Sequence, residues 1–258
     1  MPPSTPIDRR RFLGATAVAG LAAVAPSLVA DRHTLAQRDQ GRLSVRPARP
    51  TKTIAPGEHV LADDNGRRSV LYVPPTYDPA KPAPFLLALH GATGSGDSML
   101  RPTRAAAEQH GAIVLAPSSA DGTWDAIRGT FAVDLPRLDK LLADAFDRCA
   151  IDPARLGVVG FSDGATYAIS IGAINGDVFS HVIGHSPGFI IPGTPHGRPK
   201  FFVSHGRQDA ILPIDRCGRR VVAQLRRQGY EVRFDEFDGG HVATPAMRET
   251  AIAWMTPQ

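Results

Sequence analysis

Residues 155–174, RLGVVGFSDGATYAISIGAI, constrain the fold of this chain more than any other stretch. An apolar run at 156–161 is short enough for a buried strand. It turns at Gly160-Phe161-Ser162-Asp163-Gly164 into a small-residue, apolar segment that reads as a helix. Gly-x-Ser-x-Gly between strand and helix puts the serine on a sharp, strained turn, with its hydroxyl above the sheet. Side chains flanking that turn would collide with the neighbouring strand and helix, so both positions are glycine. The N–H of Asp163 then sits at a helix N-terminus, where unpaired donors and the helix dipole favour a developing oxyanion. With 25 glycines in 258 residues the pentapeptide could arise by chance; its place between strand and helix is what argues for a nucleophile.

The rest of the chain alternates around this elbow. Val60-Leu61 and 69–73 flank Asp64-Asn65-Gly66, a hairpin signal, and Pro74-Pro75 ends the second strand. Strands are then predicted at 85–89, 113–116, 156–161, 182–183, 201–203 and 231–237. Helices are predicted at 99–110, 134–149, 215–228 and 244–255, besides the one after the elbow, with Pro245 at a first helical position. Strict alternation implies one α/β domain over 57–258, with a mostly parallel sheet covered by helices on both faces. At 43% hydrophobic residues, the chain suffices for one large core.

The amino terminus reads differently. Asp8-Arg9-Arg10-Arg11-Phe12-Leu13-Gly14 precedes an Ala-rich apolar run and resembles a twin-arginine export signal, with cleavage expected after Ala30. Residues 31–56 are polar and rich in Pro and Arg, and read as a linker or loosely held arm. The formal charge of +4 is modest, and no basic run is interleaved with aromatics, so nucleic acid is not expected as a partner. Nothing after residue 30 has the length of a membrane span. The expected location is periplasmic or extracellular.

Two further glycine turns follow strands. His90-Gly91-Ala92-Thr93-Gly94-Ser95-Gly96 has the glycine spacing of a phosphate loop, but Asp97 stands where that loop needs lysine. The better reading is the second half of an oxyanion hole, with the Ala92 N–H joining that of Asp163 and His90 a structural residue beneath. The second turn, Ser204-His205-Gly206-Arg207-Gln208-Asp209, supplies a carboxylate downstream of the serine; Asp215 is the rival, placed where it could cap a helix. Among the histidines only His241 follows Asp209, in Asp238-Gly239-Gly240-His241, and it is the expected base. His181, His185 and His196 precede the acid and could line a cleft. Trp124, an aromatic in a polar loop, either packs locally or walls the substrate site. No zinc, Cys-x-x-Cys or calcium-loop motif is present, so no metal or cofactor is expected. Cys149 ends one predicted helix and Cys217 begins another at the opposite end of the sheet, so two free thiols are expected.

Taken together, Leu89-His90-Gly91, Gly160-Phe161-Ser162-Asp163-Gly164, His205-Gly206 with Asp209, Gly240-His241, Leu212-Pro213-Ile214-Asp215 and Thr123-Trp124-Asp125 resemble the α/β-hydrolase superfamily. The chain is most similar to its small bacterial phospholipase/carboxylesterases and to exported polyhydroxybutyrate-depolymerase and feruloyl-esterase relatives, from about residue 58 onward. The resemblance implies a Ser162-His241-Asp209 triad that hydrolyses small-molecule or polymer esters through an acyl-enzyme. The short SPGFIIPGTPHGRP connection implies that no large lid is present. The same triad would serve an acyltransferase or perhydrolase. A non-catalytic binding protein on this fold is the reading of a different class.

Overall fold

The computed structural model describes residues 41–64 and 66–256. The export signal expected at 1–30 and the first part of the arm, 31–40, lie outside the described residues. The strands are β1 (Gly57–Asp64), β2 (Arg67–Val73), β3 (Ala83–Leu89), β4 (Ile113–Ala116), β5 (Ile151–Phe161), β6 (His181–His185), β7 (Lys200–Gly206) and β8 (Val232–Phe237). They form one sheet in the order β1-β2-β4-β3-β5-β6-β7-β8. The β1–β2 hairpin is antiparallel and joins the sheet antiparallel to β4; every pairing from β4 through β3 to β8 is parallel.

Among the described residues five α-helices cover it: α1 (Gly96–Gln109), α2 (Asp134–Arg148), α3 (Asp163–Ile174), α4 (Gly218–Arg227) and α5 (Pro245–Met255). Alternation along each strand decides which helix covers which face. Phe85, Leu87 and Leu89 of β3 pack with Leu138, Leu142, Ile169 and Val221, which puts α2, α3 and α4 on one side. Leu86 and Ala88 point the other way, to Met99, Ala107, Ile252 and Met255 of α1 and α5. Because both faces are buried, β3 reads as an uninterrupted apolar run. Helix α3 is enclosed nearly all round, from Gly164 to Ile174, which accounts for its small apolar residues.

Two expectations need correcting. The arm is not loose over its described part. Leu43 is buried in the core, its N–H donates to Asn175 Oδ1, and Arg42 pairs with Asp177 at 2.7 Å. Helix α4 begins at Gly218, three residues later than predicted. Asp215 therefore caps nothing and instead forms an exposed ion pair with Arg219 at 2.6 Å, because residues 213–217 turn back on the carbonyl of Pro213. Cys149 is buried and Cys217 half-buried, and both are free thiols. No helix among the described residues is long and apolar enough to cross a membrane.

Candidate active site

Ser162 lies at the junction of β5 and α3 with φ 57° and ψ −120°, a conformation that a residue with a side chain adopts at a cost. Close packing enforces it. A Cβ on Gly160 would come within 2.0 Å of Gly164 O, and one on Gly164 within 2.2 Å of Leu89 O, so the strand, turn and helix approach at backbone contact. The Ser162 N–H donates to His185 O on β6 at 2.9 Å, which ties the turn to the neighbouring strand.

On one side of the serine runs the loop after β3. A Cβ on Gly91 would lie 3.3 Å from Ser162 Cβ, so this backbone passes directly beside the nucleophile. The N–H groups of Ala92 and Asp163 take no hydrogen-bond partner from the described residues, which leaves both available to an oxyanion. The loop is held from below. His90 donates from Nδ1 to Gly91 O at 2.7 Å and accepts at Nε2 from the Ser119 N–H at 3.0 Å, which fixes a neutral tautomer. Burial lowers its pKa to about 4.

The loop after β4 performs most of this holding. Trp124 is fully buried, so of its two expected roles it takes local packing and does not wall a substrate site. Its Nε1 donates to His90 O at 2.9 Å and its ring stacks on Tyr167, with centroids 5.1 Å apart. Thr123 donates to Asp163 Oδ2 at 2.6 Å, and Thr93 N–H donates to Gly122 O at the same distance. Arg67 on β2, which the sequence did not single out, bonds Gly94 O, Ser119 and Asp121 O and so fastens the two loops together.

On the other side stand the acid and base. His241 Nδ1 donates to Asp209 Oδ2 at 2.7 Å. Asp209 is buried, and its Oδ1 accepts from the N–H groups of Ile211 and Leu212 at 3.0 and 2.8 Å. Burial pushes its carboxyl upward, but the hydrogen bonds from His241, Leu212 and Ile211 outweigh that and hold it below the usual range, so it stays ionised. The imidazole of His241 packs at a tilt against Phe161, the residue before the serine, with centroids 4.8 Å apart. The two loops meet at Gly206, where a Cβ would strike Gly239 O and Gly240 O at 2.3 Å. The structure thus gathers Ser162, Ala92, Asp163, Asp209 and His241 at the carboxyl ends of the strands. It does not join Ser162 Oγ to His241 by a hydrogen bond.

The side chains of His181 and His185, which precede the acid, do not enter the site. His185 is fully buried, and His181 packs edge-on against Trp254. No cluster of His, Cys, Asp or Glu among the described residues could hold a metal ion. A hollow of about 820 Å³ is lined by Pro47, Lys52, Pro82, Arg148, Ile151 and Pro153, at the end of the sheet where β3 and β5 begin. Ser162 lies at their far ends. Residues 186–199, between β6 and β7, contain no helix, so no helical lid is inserted there.

Comparison with solved structures matches this architecture. A CE1 ferulic acid esterase from Anaeromyces mucronatus superposes with a TM-score of 0.59 at 18% identity, over 80% of this chain and 93% of that one. Esterase PE8 gives 0.58 at 19% identity, over 78% and 98%. The S-formylglutathione hydrolase of Staphylococcus aureus gives 0.59 at 17% identity, over 78% and 98%. The fold is that of the α/β-hydrolases. Within this fold the antiparallel β1–β2 hairpin forms one edge, and the strained serine follows the central strand β5. By sequence the chain is similar to feruloyl esterase C of Emericella nidulans, 29% identical over 160 residues, which is 58% of this chain. The match likewise spans 58% of that relative's length. No protein-family model matches the chain.

Proposed function

We propose that the protein hydrolyses carboxylic esters through an acyl-enzyme on Ser162. The observation that carries this reading is the strained serine at φ 57°, set between two unengaged N–H groups on one side and the His241–Asp209 pair on the other. His241, oriented by Asp209, takes the hydroxyl proton as Ser162 Oγ attacks the ester carbonyl. The Ala92 and Asp163 N–H groups receive the charge that develops on the carbonyl oxygen. The carbon–alkoxide bond breaks as His241 returns the proton to the departing alcohol. Water, deprotonated by the same imidazole, then releases the acid and restores the serine. The Ser162–His241 hydrogen bond that this requires tightens once substrate is bound.

The surface beside the site favours esters with an apolar or aromatic portion. Among the described residues five large hydrophobic side chains are exposed, and three of them, Phe189, Ile211 and Val242, lie on the loops that follow β6, β7 and β8. Ile211 is two residues from Asp209, and Val242 adjoins His241. An open apolar rim suits a bulky aromatic acyl group, in keeping with the two feruloyl or ferulic acid esterases among the relatives. The amino-terminal Arg9-Arg10-Arg11-Phe12-Leu13 adds export by the twin-arginine route to this reading.

A panel of p-nitrophenyl esters of graded acyl size, with a methyl hydroxycinnamate added, tests the proposal. Wild-type turnover should exceed that of Ser162→Ala by about 10³-fold or more on every ester cleaved. Equal activity in the two proteins would refute it.

A further inference from the structure

We propose that His205 is a positioning residue for the acid of this site: its Nε2–H, held between Leu212 O and Asp209 Oδ2, fixes the plane of the carboxylate that orients His241. The inference rests on the Ser162, His241 and Asp209 reading above. His205 Nε2 lies 2.7 Å from Leu212 O and 3.3 Å from Asp209 Oδ2, and both side chains are wholly buried. A carbonyl oxygen only accepts, so the ring hydrogen must sit on Nε2. Asp209 Oδ2 lies within 3.3 Å of the same nitrogen.

The contacts close a ring. Leu212 donates its N–H to Asp209 Oδ1, and its C=O accepts from His205. The Asp209 carboxylate is therefore gripped on Oδ1 by the peptides of Ile211 and Leu212 and on Oδ2 by His241, with the His205 ring nitrogen 3.3 Å from Oδ2. Rotation of the carboxylate would break contacts on both oxygens. The other nitrogen of His205, Nδ1, has no partner and lies against α4, where a Cβ on Gly218 would come within 2.4 Å of it. Close packing there prevents the ring from backing away. The titratable groups around this arrangement are Asp209, His241 and Cys217, the last of which senses the Asp209 charge from the start of α4. Burial disfavours the imidazolium form of His205, so the ring offers a dipole without a second positive charge that would compete with His241 for Asp209.

The test combines kinetics with NMR on the full chain. In wild-type protein labelled with ¹⁵N-histidine, His205 should show the Nε2–H tautomer, and its signal should shift as His241 titrates. His205→Phe should lower kcat for p-nitrophenyl acetate about 10-fold or more, as loss of an outer partner does at other fixed ligands, with KM nearly unchanged. Its acid limb should move to higher pH, because a carboxylate short of one donor holds protonated His241 more tightly. His205→Gln, which keeps a donor near Nε2, should restore both rate and profile. An Nδ1–H tautomer, a His205 signal indifferent to His241, an unmoved acid limb in His205→Phe, or a Gln variant no better than Phe would each overturn the proposal. Should His205→Phe fail to fold, the wild-type NMR result decides alone. Absence of ester turnover in wild type would instead sink the reading of the site, and the NMR measurement distinguishes the two failures.

Discussion

At the scale of single residues, the site depends on what each polar atom is bonded to. Asp209 and Asp215 lie six positions apart and both follow β7, yet their surroundings differ. Asp209 is buried with its oxygens saturated by donors, whereas Asp215 is 77% exposed and touches Arg219. Asp209→Asn should keep the fold but favour the wrong tautomer of His241, with a loss of up to about 10⁴ in turnover. Asp215→Asn should cost less than about 1 kcal/mol of stability, as exposed ion pairs do, and leave turnover intact. Steady-state rates and urea midpoints of the two variants check this; a large loss confined to Asp215→Asn would move the acid. That Asp209 rather than Asp215 stands beside His241 was legible in the sequence, because chain order and loop position both pointed to it. The part played by His205 was not, because a histidine beside a glycine carries no sign of which carbonyl it will meet.

At the scale of elements, the loops after β3 and β4 act as one body. Trp124, Ser119 and Gly122 all bond to the 90–93 segment, and His90 is the hub. Its neutral form accepts the Ser119 N–H, so a proton on Nε2 would break that bond. Since burial lowers its pKa from 6.5 to about 4, an unfolded chain binds this proton at a higher pH than the folded one. The stability contributed by neutral His90 is thus complete above about pH 6.5 and is lost as the pH falls toward about 4, on the order of 3 kcal/mol in all. Denaturant unfolding of wild type and His90→Gln at several pH values should show the steeper acid loss in wild type; parallel curves would contradict this role. Trp124 shows why the sequence leaves a choice open at this scale. An aromatic in a polar loop suggests a substrate wall, and only the stack of His90, Trp124 and Tyr167 reveals that the loop folds inward. Element ends shifted for similar reasons: α4 starts late because residues 213–217 form their own turn.

At the scale of the molecule, the alternation of apolar runs and amphipathic segments made the sheet and both helical layers legible, since strands buried on two faces leave a continuous apolar signature. The fixed part of the arm was not legible. Its anchors, Leu43 and Arg42, meet Asn175 and Asp177 more than 130 positions away, and no local pattern announces so distant a contact. The amino terminus carries its own test. Arg9→Lys with Arg10→Lys should retain the precursor in the cytoplasm, read by fractionation, because the transporter recognises the pair; unchanged export would point to another route. The central claim, acyl transfer to Ser162, is tested most directly by trapping the intermediate. Wild-type protein mixed with p-nitrophenyl acetate, quenched in acid within the first turnovers and mapped by peptide mass spectrometry, should carry one acetyl group on Ser162 and none in Ser162→Ala. An acetyl group on another side chain, or full turnover without acetylated Ser162 at any time point, would contradict the account.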